Sequence, residues 1–270
     1  MKKIIYIFPI LFAVFFSACE VESGYQSGYP RTLQGKIAFD AVENRLSQSV
    51  YLLDLMTKVS YYAEAPADEK EGISHYYLSR YTITSTDNTW TLSNDSEEII
   101  FSHNQKSINE SGAIWTAKVI VELWNTPTNT IIKDENFKVE NLGDKDWKVT
   151  TSNLNYFHPV LTSYIYPNIN KSNGTFLIKG SKAYDKSPNL YDFKINDGSG
   201  NMNWDETKIS YQITEPALYT YVSSGYLDLS IKSGKMDITA NEDKIAANVI
   251  ASGYYYPQVE ITFNNITELY

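Results

Sequence analysis

Residues 197–206 form a polar segment whose side chains could bind a hard cation or a sugar. Oxygen donors recur there at alternate positions, and Ca²⁺ prefers such ligands. These donors are Asp197, Ser199, Asn201 and Asp205. The segment departs from an EF-hand loop, because Met202 stands where glycine is needed and Lys208 stands where the bidentate glutamate belongs. We therefore expect a plain hairpin loop and no bound metal, with a calcium site as the alternative.

Aromatic rings beside amide and carboxylate groups indicate sugar binding more directly. Trp204 lies between Asn203 and Asp205, and Tyr254 and Tyr255 form part of a second aromatic run. The C–H faces of sugars stack on aromatic rings, which also carry a polar handle in tyrosine and tryptophan. We predict that these five residues contribute to a ligand-binding surface. The alternative is that Trp204 folds back and covers the end of a sheet.

Catalytic motifs are missing from the sequence. It contains no nucleophile elbow, no zinc-binding His-Glu-x-x-His and no phosphate-binding loop, and its three histidines are far apart. A pair of carboxylates could still perform hydrolysis across a cleft, but the 32 acidic residues offer no basis for choosing a pair. We predict a binding protein without a cofactor, and rank a hydrolase last.

Composition excludes some classes of partner. The formal net charge of −9 at pH 7 provides no electrostatic footprint for nucleic acid or for anionic lipid headgroups. The 22 tyrosines and 5 tryptophans suit both pleated sheets and recognition surfaces, so composition leaves these two roles open. Cys19 is the single cysteine, so no intramolecular disulfide can form and the fold must rely on its core.

Strand patterns dominate the chain after residue 75. About fifteen short segments with period-two alternation, separated by turn signals, predict a mostly β, antiparallel fold. Residues 113–124 show the clearest alternation, and residues 75–83 are the first predicted strand. Because about fifteen strands exceed a usual single sheet, we expect a two-sheet sandwich, or a meander or half-barrel. Two β subdomains that divide near residues 167–174 are the alternative to one domain.

One amphipathic helix is predicted over residues 33–58. Apolar residues recur at three- and four-residue steps from Ala38 to Met56, which places them on one face. Polar residues, among them Arg45, Gln48 and Asp54, fill the opposite face. Pro66 must end the helix, and residues 67–72 read as a charged loop. The apolar stripe is expected to pack on one face or one end of the sheet.

The first nineteen residues carry the pattern of an export signal. Lys2 and Lys3 precede an apolar run from Ile4 to Phe16, which as a helix would rise roughly 20 Å, short of the roughly 30 Å hydrocarbon core. Such a run is typical of a signal peptide rather than of a spanning helix. The following Phe16-Ser17-Ala18-Cys19 resembles the lipobox of bacterial lipoproteins, although leucine is usual where Phe16 stands.

The resemblance to bacterial lipoproteins implies that residues 1–18 are removed and that Cys19 is acylated. It places the protein in the cell envelope as an outer-membrane lipoprotein, facing either the cell surface or the periplasm. Residues 19–31 are polar and rich in glycine and serine, so we expect a flexible tether ahead of a β-rich domain over 32–270. Glu20 and Glu22 loosely resemble the surface-export signal of some Gram-negative lipoproteins.

Together these features favour a lipid-anchored binding protein that captures a glycan or another extracellular ligand. A second hypothesis is that a β-enclosed interior, closed by the helix, holds a lipid or other apolar molecule. A third is a structural role in a surface complex. Beyond the membrane, to which the acylated cysteine would attach, the sequence identifies no protein partner.

Overall fold

Helical residues open the part of the chain that the structure describes. The computed structural model describes residues 32–95, 97–123, 130–154, 169–184, 187–204, 206–223, 227–250 and 258–269. Helix α1 (Leu33–Phe39) continues through a π-helical stretch (Asp40–Leu46) into helix α2 (Ser47–Glu64). Ala65 then adopts an extended conformation, as expected for the residue before Pro66. Within the described ranges, no helix combines the length and apolar character needed to cross a membrane.

A further helix, α3 (Lys70–Tyr77), follows where a charged loop and the start of a strand were predicted. The prediction of a loop and a strand is wrong. Ile73 and Tyr77 are four residues apart, so a helix places both side chains on the same face. Ile73 is buried, and the Tyr77 ring lies 6.2 Å from the ring of Tyr61 on α2. The first strand is correspondingly short and begins only at Thr82.

All strands that the structure describes belong to one antiparallel sheet, in which each strand pairs with the next one along the chain. This confirms a mostly β, antiparallel fold, and of the expected architectures it matches the meander and not the two-sheet sandwich. The strands are β1 Thr82–Ser85, β2 Thr89–Ser93, β3 Glu97–His103, β4 Ile114–Leu123, β5 Thr130–Gly143, β6 Asp146–Leu154, β7 Ile169–Tyr184, β8 Ser187–Trp204, β9 Thr207–Ser223, β10 Leu227–Ala240, β11 Asp243–Ile250, β12 Gln258–Phe263 and β13 Ile266–Leu269. Strand β7, which begins beside the suggested subdomain boundary, pairs with β6 and with β8.

The sheet curls around helix α2. Residues 48–60 of the helix are buried with the exception of Tyr51, which is half-buried, and a helix that is buried on every side must be surrounded. Side-chain hydrogen bonds extend from the helical segment to widely separated parts of the sheet: Arg45 Nη1 donates to Ser172 Oγ of β7, and the backbone N–H of Ile108, between β3 and β4, donates to Ser60 Oγ. The inner face of the sheet supplies the large buried rings, which are Phe101, Trp115, Phe137, Trp147, Phe176 and Phe193.

Because the sheet curves around the helix, the helix face predicted to be polar is also buried. Arg45, Gln48 and Asp54 were predicted to lie on the polar face of the helix, yet these residues are only 1–3% exposed. An amphipathic pattern assumes that one side of the helix meets water. Here the sheet and the loops between its strands reach both sides. Arg45 and Asp54 have partners inside the protein, whereas the two polar side-chain atoms of Gln48 have no hydrogen-bond partner among the described residues.

The hairpin loop predicted at residues 197–201 is instead part of strand β8. Its glycines admit aromatic rings from neighbouring strands. A Cβ atom on Gly198 would collide with the Phe176 ring, and one on Gly200 would collide with the Tyr211 hydroxyl. The two rings are themselves nearly parallel, with centroids 6.4 Å apart. Glycine is therefore required here for close approach within the sheet, which a turn-based interpretation overlooks.

Candidate ligand-binding surface

The predicted binding residues are only partly within the described structure. Asn203 is exposed near the end of β8 and pairs with Lys208 of β9. The backbone of Trp204 ends the same strand, and its side chain lies outside the described residues. Asp205, Tyr254 and Tyr255 also lie outside them, as does Cys19. The structure therefore locates one member of the predicted set, and the exposed face of β8 is the place to look for its neighbours.

The candidate calcium ligands do not converge along β8. Asp197, Ser199 and Asn201 are all exposed at alternate positions of the strand, and such positions are roughly 6.6 Å apart along an extended chain. Ca²⁺ requires six to eight oxygens at about 2.3–2.6 Å, which an extended backbone cannot gather from three successive outward positions. Across the ranges that the structure describes, no group of three or more histidine, cysteine or acidic side chains could hold a metal ion.

Asn203 belongs to a larger uncharged surface on the outer face of the sheet. In register across β7, β8 and β9, Asn173 pairs with Asn201, which pairs with Ser210. In the adjacent row, Ser199 pairs with Gln212. We call these residues, together with Asn203, the amide–hydroxyl patch; its members are Asn173, Ser199, Asn201, Asn203, Ser210 and Gln212.

Strand alternation directs the patch outward. Met202, Ile209 and Tyr211, which alternate with patch residues along β8 and β9, are buried, and successive side chains in a strand point to opposite faces. Five members of the patch are exposed, while Asn173 is partly covered and its Nδ2 donates to Asn201 Oδ1 at 3.0 Å. Charged residues border the patch: Lys208 pairs with Asn203, and Asp237 pairs with Gln212.

A β-bulge in β8 makes this arrangement possible. Before the bulge the odd-numbered residues 191, 193 and 195 are buried, whereas after it the even-numbered residues 198 and 202 are buried. The pairing shifts at this point on both sides of the strand. Sequence reasoning found the asparagines of β8, but their partners on β7 and β9 depend on this register, so the patch as a whole was missed.

The chemistry available at the patch is the recognition of neutral, hydrogen-bonding ligands. Each amide offers both donors and an acceptor, and each hydroxyl offers one donor and two acceptor sites. Neighbouring strands are about 4.8 Å apart, so paired side chains can contact adjacent groups of one ligand. The patch itself contains no group that titrates near neutral pH.

A second polar cluster lies buried between helix α2 and the sheet. The Nζ atom of Lys58 is 2.6 Å from Asp54 Oδ2, and the Tyr221 hydroxyl of β9 donates to Asp54 Oδ1. Lys58 Nζ also lies 5.2 Å from the centroid of the Tyr221 ring. Burial and the neighbouring Asp54 raise the pKa of Tyr221, so its hydroxyl remains a donor. This cluster stabilises the interior and has no exposed surface for a ligand.

Comparison with known proteins identifies no relative of this chain. No family model matches it, and no curated protein or solved structure shows significant similarity to it.

Proposed function

We propose that this protein is a lipid-anchored protein of the cell envelope that binds a neutral glycan through the amide–hydroxyl patch. The observation that carries the proposal is the register of β7, β8 and β9, which gathers six uncharged hydrogen-bonding side chains on the outer face of the sheet. The anchor is inferred from the lipobox-like residues that end at Cys19.

The side chains of the patch match the surface chemistry of a sugar. Neighbouring sugar hydroxyls both donate and accept hydrogen bonds, and an amide can serve two of them at once. One net hydrogen bond contributes roughly 0.5–1.5 kcal/mol, so useful affinity requires several contacts. Trp204, Asp205, Tyr254 and Tyr255 remain the proposed sources of stacking and further polar contacts.

Packing on the concave side of the sheet favours this outer surface over an enclosed apolar site. The interior that would hold a lipid is occupied by helix α2, whose Leu52, Leu53, Met56 and Val59 are all buried. An apolar ligand in the space that α2 occupies would have to displace these side chains. A glycan on the outer face requires no such rearrangement.

Binding to a panel of neutral polysaccharides and oligosaccharides tests the proposed surface. We expect the detergent-solubilised full chain to bind at least one of them, and Asn201→Ala to weaken binding roughly threefold to tenfold, because each lost hydrogen bond contributes roughly 0.5–1.5 kcal/mol. Affinity can be measured by isothermal titration calorimetry. Asn136→Ala is the matched control, since Asn136 is exposed on β5, outside the patch. Equal affinities of the two variants would exclude the patch.

Cys19→Ser tests the anchor. We expect the wild-type chain to incorporate a radiolabelled fatty acid and to sediment with membranes, because acyl chains contribute about 0.8 kcal/mol per buried CH₂. The variant should lose both properties, since Cys19 is the only cysteine. Ser23→Ala serves as the control within the predicted tether. Labelling of the Cys19→Ser chain would contradict acylation at this residue.

A further inference from the structure

Three elements are joined by a chain of short hydrogen bonds between buried or half-buried side chains. The hydroxyl oxygens of Tyr51 on α2 and Tyr81, which lies between α3 and β1, are 2.6 Å apart. The Tyr81 hydroxyl donates to Glu97 Oε1 of β3, also at 2.6 Å. We call this the Tyr51–Tyr81–Glu97 relay. It connects the segment of α3 and β1, residues 70–85, with both the central helix and the third strand.

Glu97 occupies an unusual position for a carboxylate. The residue is 5% exposed, and its Oε1 atom accepts from Tyr81 and, at 3.3 Å, from Asn94 Nδ2. Its Oε2 atom is buried and has no hydrogen-bond partner among the described residues. No lysine or arginine among the residues that the structure describes forms an ion pair with Glu97. A buried carboxylate without such a partner is costly in its ionised form.

The charged and titratable neighbours of Glu97 can be named element by element. Helix α2 contributes Tyr51, which also experiences the charge of Asp54, and Asp54 is paired with Lys58. The connection after α3 contributes Tyr81 and the exposed Arg80. Burial raises the pKa of Glu97, and the bonds from Tyr81 and Asn94 and the charge of Arg80 oppose that change without reversing it. Burial likewise raises the pKa of Tyr51 and of Tyr81, so both hydroxyls stay protonated.

We propose that Glu97 is a proton-operated latch that holds residues 70–85 against α2 and β3 and releases this segment as the pH rises. The segment can open separately because β1 is a four-residue edge strand with largely exposed side chains. Only Ile73 and Leu78 within the segment are fully buried. Its attachments include the pairing of β1 with β2, the relay, the contact between Tyr77 and Tyr61, and the Lys70 ammonium group, which lies 5.2 Å from the centroid of the Tyr62 ring.

The direction follows from the linkage between protonation and opening. The pKa of Glu97 is higher when the segment is closed than when it is open and hydrated, so the closed state retains its proton to higher pH. The stabilisation is fully present below the pKa of the open state and is lost as the pH rises through the pKa of the closed state. Between these two values, the opening equilibrium constant increases up to about tenfold per pH unit, and it becomes constant above them.

Hydrogen–deuterium exchange of the full chain between pH 5 and pH 9, corrected for the intrinsic exchange rate, tests the latch. We expect wild type to lose protection in residues 70–85 with rising pH, while the strands β7–β9 keep theirs. Glu97→Gln should remove this pH dependence, because an amide resembles the protonated acid. Glu98→Gln is the matched control, since Glu98 is adjacent in β3 but only half-buried, and it should behave as wild type.

A second variant keeps the inference testable if Glu97→Gln folds poorly. Tyr81→Phe retains the ring but removes both hydrogen bonds of the relay, so protection of residues 70–85 should be lower at every pH. Because the variant also lacks a hydrogen bond that lowers the pKa of Glu97, the pH range over which the remaining protection is lost should move upward. The latch would be overturned by an unchanged pH profile in both variants, by the same change in Glu98→Gln, or by simultaneous loss of protection across β7–β9.

Discussion

Asp54→Ala is expected to lower the free energy of unfolding by about 3–5 kcal/mol, because it leaves the buried ammonium group of Lys58 without its carboxylate. Both residues are nearly inaccessible to water, with side-chain exposures of 4% for Asp54 and 7% for Lys58. The substitution also removes the acceptor of the Tyr221 hydroxyl. Urea unfolding at pH 7, followed by tryptophan fluorescence, measures the effect.

The double variant Asp54→Ala/Lys58→Met distinguishes the net contribution of the ion pair from the cost of leaving one buried charge without its partner. A buried ion pair can often be replaced by apolar residues at little cost, so the double variant should recover the part of the stability that is lost with the unpaired ammonium group. The part lost with the acceptor of the Tyr221 hydroxyl should remain. Glu140→Ala is the matched control, because the Lys138–Glu140 pair has side-chain exposures of 46% and 40% and exposed pairs contribute about 0–1 kcal/mol. If Asp54→Ala cost no more than Glu140→Ala, the buried pair would not stabilise the fold as described.

Gly200→Ala is expected to destabilise the fold by about 1–3 kcal/mol, which is typical of overpacking. The added methyl group would collide with the Tyr211 hydroxyl and with the backbone oxygen of Asn173. The tyrosine could rotate, but the backbone oxygen belongs to the paired strand β7 and can move only if the strands separate. Thermal or urea unfolding measures the loss.

Gly72→Ala is the comparison for this substitution, and we expect it to stabilise the fold where Gly200→Ala destabilises it. Gly72 lies within helix α3, and a Cβ atom placed there would meet nothing within 4 Å. Alanine is favoured over glycine inside a helix by about 0.8–1.0 kcal/mol. Stabilisation by both substitutions would mean that the contact between β7 and β8 is looser than the structure has it.

The two glycine variants also bear on the proposed function. Separation of β7 from β8 would move Asn173 away from Asn201, whose amide groups are hydrogen-bonded at 3.0 Å. Gly200→Ala should therefore weaken glycan binding as well as stability, whereas Gly72→Ala should leave binding unchanged. This difference connects the packing on the inner face with the recognition surface on the outer face.

Local patterns in the sequence are sufficient where one side of an element meets water and the other meets the core. The alternation around Trp115, Ala117 and Val119 predicts β4, and all three side chains are buried as expected. The helix that precedes the sheet is also predicted by its apolar spacing, and Pro66 explains its end. In β4 the burial of each side chain follows from its own position in the repeat, whereas in the helix the repeat predicts the element but not the burial of its polar face.

The same patterns fail where a residue's surroundings come from distant parts of the chain. Asp54 has the position of an exposed helix residue, but Tyr221, 167 residues later in the chain, covers it. Gly198 and Gly200 resemble a turn because nothing nearby shows that Phe176 and Tyr211 need the space of a missing side chain. Both errors arise because burial and close packing are properties of the folded chain.

The candidate site shows the same division. The sequence by itself determined the mostly β, antiparallel fold. It predicted one helix over residues 33–58, where the structure has helical residues interrupted by a π-helical stretch from Leu33 to Glu64, and it proposed Asn203 as a candidate binding residue. Only the tertiary structure decided that Asn201 and Asn203 face outward, because the bulge after Ile195 reverses the alternation of β8. Only strand register brings Asn173, Ser210 and Gln212 beside them. A shift of one residue moves every side chain of a strand to its other face, so the recognition surface depends on pairing that no local pattern encodes.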